Sequence, residues 1–187
     1  MKRQRSWKEY RAIDLALMGV ALAVFEFIIL RAANWWFPGQ PFIVSLAAPV
    51  TAIVYMRWGW WGALHAVEAG LVFCFFSGGA GAQYLVYCAG NLFSVLAVLL
   101  LNRVGKERVR TGHLSLIFPL LVQLLMQAGR ALVALALGFG PAEAVGFFTT
   151  DSLSLLFTFV IIWIARKLDG VYEDQKHYLL RVHAEKE

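Results

Sequence analysis

Residues 119–140, PLLVQLLMQAGRALVALALGFG, are apolar from end to end apart from Gln123, Gln127 and Arg130. The stretch is long enough to cross the hydrocarbon core of a bilayer, which needs about 20 residues of helix. An arginine at the centre of such a helix costs roughly 2.5–3.5 kcal/mol on insertion scales. A charge kept at that cost faces the protein interior or a watery cavity, so this stretch predicts a spanning helix whose inner face has something to hold. Gln123, Gln127 and Arg130 fall at i, i+4 and i+7, which is one face of an α-helix.

The rest of the chain follows the same pattern. Hydrophobic residues make up 60% of the 187 and charged residues only 16%, with a mean hydropathy of +0.65. A soluble domain carries nearer a quarter charged residues, so the composition predicts an integral membrane protein. Six apolar segments stand out, at 13–30, 42–56, 60–76, 83–101, 114–137 and 145–165, the second of them short for a span. FPGQP, SGGAGA and GFGPAE provide turns between them. The expected fold is an all-α integral membrane protein, a compact bundle of six transmembrane helices forming a single domain over 1–187. Residues 1–12 are a basic N-terminal segment and 168–187 a tail.

Six crossings place nearly every basic loop residue on one side. Lys2, Arg3, Arg5, Lys8 and Arg11 precede the first segment, and Arg57 follows the second. Arg103, Lys106, Arg108 and Arg110 follow the fourth, and Arg166, Lys167, Lys176, Arg181 and Lys186 the sixth. The opposite connections hold only Arg31. The positive-inside rule then puts both termini in the cytoplasm, in a multi-pass protein of the plasma membrane. The net charge of +5 is explained by this clustering and implies no nucleic-acid partner. Cys74 and Cys88 lie in apolar runs and read as packing residues. No Walker motif is present, so any ATP-driven step needs other subunits.

Polar residues within apolar segments mark function. The fifth segment contributes Gln127 and Arg130, and the sixth Asp151 near its start. The fourth contributes Gln83, Tyr84, Tyr87 and Asn91, and the third Glu68. Trp36 stands beside an outer loop. These nine residues are the expected substrate contacts, gathered in the outer half of the bundle, with Arg130 pairing either an anionic group of a ligand or Asp151. One cation among aromatics suits a ring bearing an acidic group. On the first segment, Ala12, Ala16, Gly19 and Ala23 make a stripe of small side chains at helical spacing that lets another helix approach. The same spacing also suits packing within the bundle.

With LALMGVALAV at 15–24, PGQPFIVSLAAPVTAIVYMRWGWWGA at 38–63 and YCAGNLF at 87–93, the chain resembles the substrate-binding S components of energy-coupling factor (ECF) transporters. The resemblance implies capture of a vitamin or related micronutrient at the outer face. It implies docking through the small-residue stripe onto a transmembrane coupling protein and two ATPase subunits, which use the ATP, while this chain binds no cofactor.

Two other readings compete. His65 and Glu68 at i, i+3 hint at a metal or acid–base pair, but a hydrolytic metal site needs about three protein ligands and no further ones join them. The chain is therefore not expected to be an enzyme. A structural membrane scaffold of the MreD-like type has a similar small six-span outline and needs no outer pocket.

Overall fold

In the computed structural model, residues 6–39 and 43–184 are described. Phe42, the expected start of the second segment, lies outside them, as do Lys2, Arg3, Arg5 and Lys186. The described residues form ten α-helices and no strand. The helix α1 (Trp7–Trp36) opens on a capping box: Glu9 N donates to Ser6 Oγ and Ser6 N to Glu9 Oε2. At about 1.5 Å per residue, its 30 residues outrun a bilayer core.

Among the described residues, five helical stretches are long and apolar enough to cross a membrane: Trp7–Trp36, Ala47–Ser77, Gly81–Val104, Leu114–Ala136 and Pro141–Ala165. The second of these is not one rod. It holds α2 (Ala47–Trp58) and α3 (Gly62–Ser77), separated by a 3-10 turn whose Gly59 has φ +60°. That left-handed backbone conformation suits glycine and ends α2. The chain then doubles back: a Cβ on Gly62 would lie 2.3 Å from the Tyr55 ring, and Ala47 and Ala69 share one core cluster with Leu22. The second and third apolar segments are thus two arms of a helical hairpin.

The other two composite stretches are interrupted rather than reversed. In Gly81–Val104, α4 (Gly81–Asn91) passes through a 3-10 turn into α5 (Leu96–Val104). In Pro141–Ala165, α8 (Pro141–Thr149) and α9 (Ser152–Ala165) are separated at residues 150–151. Both breaks fall next to polar residues, Asn91 and Asp151. Between these stretches lie the short α6 (Lys106–Thr111) and the continuous α7 (Leu114–Ala136).

Apolar side chains cover the outside of the bundle as well as filling its core, and polar ones within the helices are turned inward. Leu17, Val20, Phe75, Leu85 and Leu156 are all more than half exposed, while Glu26, Gln123, Gln127, Arg130 and Asp151 are buried. Such a surface suits lipid and not water. The closest packing is between α4 and α7. A Cβ on Gly129 would sit 2.2 Å from Gly90 O, and one on Gly90 would sit 2.6 Å from the Arg130 backbone. On its other side α4 meets α3 at Gly70, where a Cβ would come 2.8 Å from Cys88 N. Small residues at helix crossings let backbones approach this far.

One end of the bundle gathers the basic residues. Arg57 pairs with Asp14 and donates to Val171 O, Arg110 donates to Met56 O, and Arg11 lies over the Trp61 ring. Asp14, near the start of the first apolar segment, is buried between Arg57 and Trp58 Nε1. The tail folds back onto this end: α10 (Gln175–Ala184) brings His177 within 5.0 Å of Trp7, and Tyr172 donates to Ile162 O. Burial pushes the Tyr172 hydroxyl up to about 12 and lowers the Lys106 ammonium, which Arg110 lowers further.

The α4–α7 crossing has a direct test. Gly129→Ala forces the two backbones apart and is expected to destabilise by about 1–3 kcal/mol, seen as a lower melting temperature in detergent. Gly146→Ala, on α8 with open space around its Cα, is expected to leave the melting temperature unchanged or slightly raised.

Candidate functional site

The Gly90–Gly129 crossing sets Asn91 beside Arg130. Arg130 Nε donates to Asn91 Oδ1 at 2.8 Å, and Asn91 Nδ2 donates to Ala66 O at 3.0 Å, linking α7 through α4 to α3. The guanidinium lies 4.6 Å from the centroid of the Tyr87 ring, one turn before Asn91 on α4. Its Nη1 donates to Asp151 Oδ2 in a buried ion pair. Arg130 is only 3% exposed, so the head group is closed in on every side.

Helix interruptions supply the acceptors. At the α8–α9 break the Asp151 carbonyl accepts from Ser154 N at 2.9 Å and also from Gln123 Nε2 at 3.0 Å. Gln123 Oε1 in turn accepts from Thr158 Oγ1. After Asn91 the 3-10 turn lets Ser94 Oγ donate to Asn91 O. Broken helix at membrane depth is tolerated where it is enclosed by protein or lines a cavity. Here it does both.

The third wall is the non-helical segment 43–46, between α1 and α2. Ile43 N donates to Thr150 O, Ser45 N to Ser154 Oγ, and Ser154 Oγ to Ile43 O. Leu46 N donates to Glu26 Oε2 at 2.9 Å, which fixes Glu26 from α1 against this strap. Ser45, Ala48, Gln123, Arg130, Asp151 and Ser154 line a cavity of about 10 Å³, room for about one water. Three buried polar atoms in this region lack a partner: Glu26 Oε1, Gln127 Nε2 and Asp151 Oδ1.

Of the nine expected contacts, Arg130, Asp151, Asn91 and Tyr87 come together, and Gln127 is buried on the same face of α7 without a bond to any of them. Tyr84 packs half-buried beside Phe73 and Tyr87 and makes no polar contact with the group. Glu68 does not join it: its carboxylate lies on Gly19 of α1, where a Cβ would come 2.8 Å from Oε2. Gln83 caps its own helix, accepting from Ala80 N. Trp36 is 68% exposed and stacked with Trp35 at a 6.4 Å centroid distance. Tyr87 is not free to stack on a ligand ring, because Arg130, Phe73 and Phe147 already surround it.

The small-residue stripe divides. Ala12 and Ala16 are exposed and Ala23 half-buried. Gly19, expected on the docking face, is buried beneath Glu68 and faces α3. Its missing side chain is used inside the bundle. Sequence reasoning missed Ser45 and Ser154, small hydroxyls that carry no signal, and left Glu26 without a role. Glu26 was legible as a carboxylate deep in an apolar segment, yet its partners on the 43–46 strap are set by tertiary packing. His65 Nε2 donates to Leu15 O, and no cluster of three metal-ligating side chains occurs among the described residues.

No protein-family model matches the chain, and no curated protein or solved structure matches it.

The ion pair can be weighed by substitution. Asp151→Ala leaves a buried guanidinium without its counter-ion, at a cost of about 3–5 kcal/mol, and is expected to give little folded protein. The double variant Arg130→Met, Asp151→Leu removes both charges and is expected to recover most of the stability. The check is melting temperature, measured by size-exclusion profile after heating.

Proposed function

We propose that this chain is the substrate-binding subunit of an ECF-type importer, capturing a vitamin or related micronutrient at the outer face for partner subunits to drive inward. In this reading the hairpin of α2 and α3 makes two crossings and the bundle six. The end carrying Arg57, Arg110 and α10 is cytoplasmic, with both termini, and the protein is multi-pass in the plasma membrane. The coupling protein and two ATPase subunits are its partners, and they supply the ATP hydrolysis.

One observation carries the reading. A fully enclosed arginine is held by Asn91, Tyr87 and Asp151 in the half of the bundle opposite the basic end, with unpartnered buried polar atoms around it. Unsatisfied buried groups cost about 1–3 kcal/mol each, and a bundle built only for scaffolding has no use for three of them in one region. The cavity is small because the 43–46 strap is closed over it, and substrate entry displaces that strap. Docking uses the exposed end of the small stripe, Ala12 and Ala16.

The alternative, a structural scaffold of the MreD-like type, is favoured by the closed Arg130–Asp151 pair and the cavity of about 10 Å³. Thermal stabilisation separates the two. A binder is expected to gain several degrees in melting temperature with its cognate vitamin and to carry a small molecule through purification, seen by native mass spectrometry. A scaffold gains nothing and carries nothing. On the docking side, Ala12→Trp with Ala16→Trp is expected to abolish co-purification of the coupling protein and leave the melting temperature unchanged. Retained assembly with both tryptophans in place would remove the stripe from the interface.

A further inference from the structure

Arg130 is the residue that first suggests an anionic cargo, yet its charge is already committed to Asp151, and its Nε to Asn91. What the enclosed group lacks is different. Two of its three unpartnered buried atoms are carboxylate oxygens, Glu26 Oε1 and Asp151 Oδ1, and the third is the amide nitrogen Gln127 Nε2. Glu26, Gln127 and Asp151 are each at least 96% buried.

These groups belong to one place. Glu26 Oε2 is held by Leu46 N on the strap whose Ser45 lines the cavity with Arg130 and Asp151. Glu26 also lies within electrostatic reach of both Arg130 and Asp151. Gln127 sits between Gln123 and Arg130 on the same face of α7. The set therefore holds one guanidinium against two carboxyl groups, with carboxyl oxygens to spare. A carboxylate or phosphate entering here meets two carboxyl groups, and burying like charges together is costly. A hydrogen-bond donor, above all an ammonium, meets partners that are waiting for it.

We infer that the molecule received at this site is an amine or amine-bearing heterocycle, donating to Asp151 Oδ1 and Glu26 Oε1 and accepting from Gln127 Nε2, and not a carboxylate or phosphate. This inference rests on the reading of the chain as a substrate-binding subunit and assigns its substrate class. Glu26 becomes a specificity-determining residue on the strap side of the site, opposite Arg130 and Asp151. Arg130 becomes a positioning residue that orients Asp151 and does not touch the cargo.

The experiment uses the full chain in lipid nanodiscs. Native mass spectrometry identifies any molecule retained through purification. Thermal shift then compares matched probes: pyridoxamine with pyridoxic acid, nicotinamide with nicotinate, and thiamine. The expected result is a retained molecule or probe response confined to amines and amides. Glu26→Gln, which keeps the bond from Leu46 N, is expected to weaken that binding at least tenfold with an unchanged melting temperature in the absence of ligand. A retained acid, or responses confined to the carboxylates, overturns the inference and leaves the capture reading standing. Undiminished binding in Glu26→Gln overturns the role given to Glu26 and the donor assignment with it. If no molecule is retained and no probe of either class responds, the capture reading fails, and the inference with it.

Discussion

The structure depends on the backbone contact between Gly90 of α4 and Gly129 of α7. With no Cβ on either residue, the helices come together until Gly90 O lies where a Gly129 side chain would begin. In hydrocarbon there is no hydrophobic force to press helices together, so close van der Waals contact of this kind has to supply part of the attraction. Because Asn91 and Arg130 are the next residues along, the crossing also sets their side chains against each other. Packing and polar recognition are one event at this point of the chain.

From that contact the polar network spreads by hydrogen bonds, several of them made where a helix is interrupted. At the break at 150–151 the Asp151 carbonyl accepts from Gln123 as well as from Ser154 N, and the Asp151 side chain pairs with Arg130. The 3-10 turn after Asn91 lets that residue serve α3 and α7 at once. Interrupted helices cost backbone hydrogen bonds, and the cost is tolerable in a membrane only where protein groups replace them. Gln123 and Ser94 donate to backbone carbonyls at the two breaks, and Thr158 holds the Gln123 amide in place.

The two ends of the bundle differ in what holds them. At the basic end, Arg57, Arg110 and the returning tail tie loops to one another through backbone carbonyls and the buried Asp14. At the other end, the 43–46 strap is fastened by a few backbone bonds to Thr150, Ser154 and Glu26. Ser45 of that strap lines the cavity with Arg130 and Asp151.

Much of this was legible in the chain. The apolar segments, their breaks at glycine and proline, and the one-sided basic residues follow from the cost of exposing polar groups to lipid, which acts on every residue separately. The face carrying Gln123, Gln127 and Arg130 follows from helical period alone. What the chain could not announce is which polar residues meet. Glu68 and Glu26 look alike as isolated carboxylates in apolar runs, yet packing lays one on Gly19 and brings the other to the Arg130 site. Gly19 likewise suits a partner surface or bundle packing by its spacing, and only the fold shows it covered by Glu68 of α3. The committed charge of Arg130 is a tertiary fact for the same reason: a sequence fixes how costly each group is to bury, and only the folded bundle decides which group answers it.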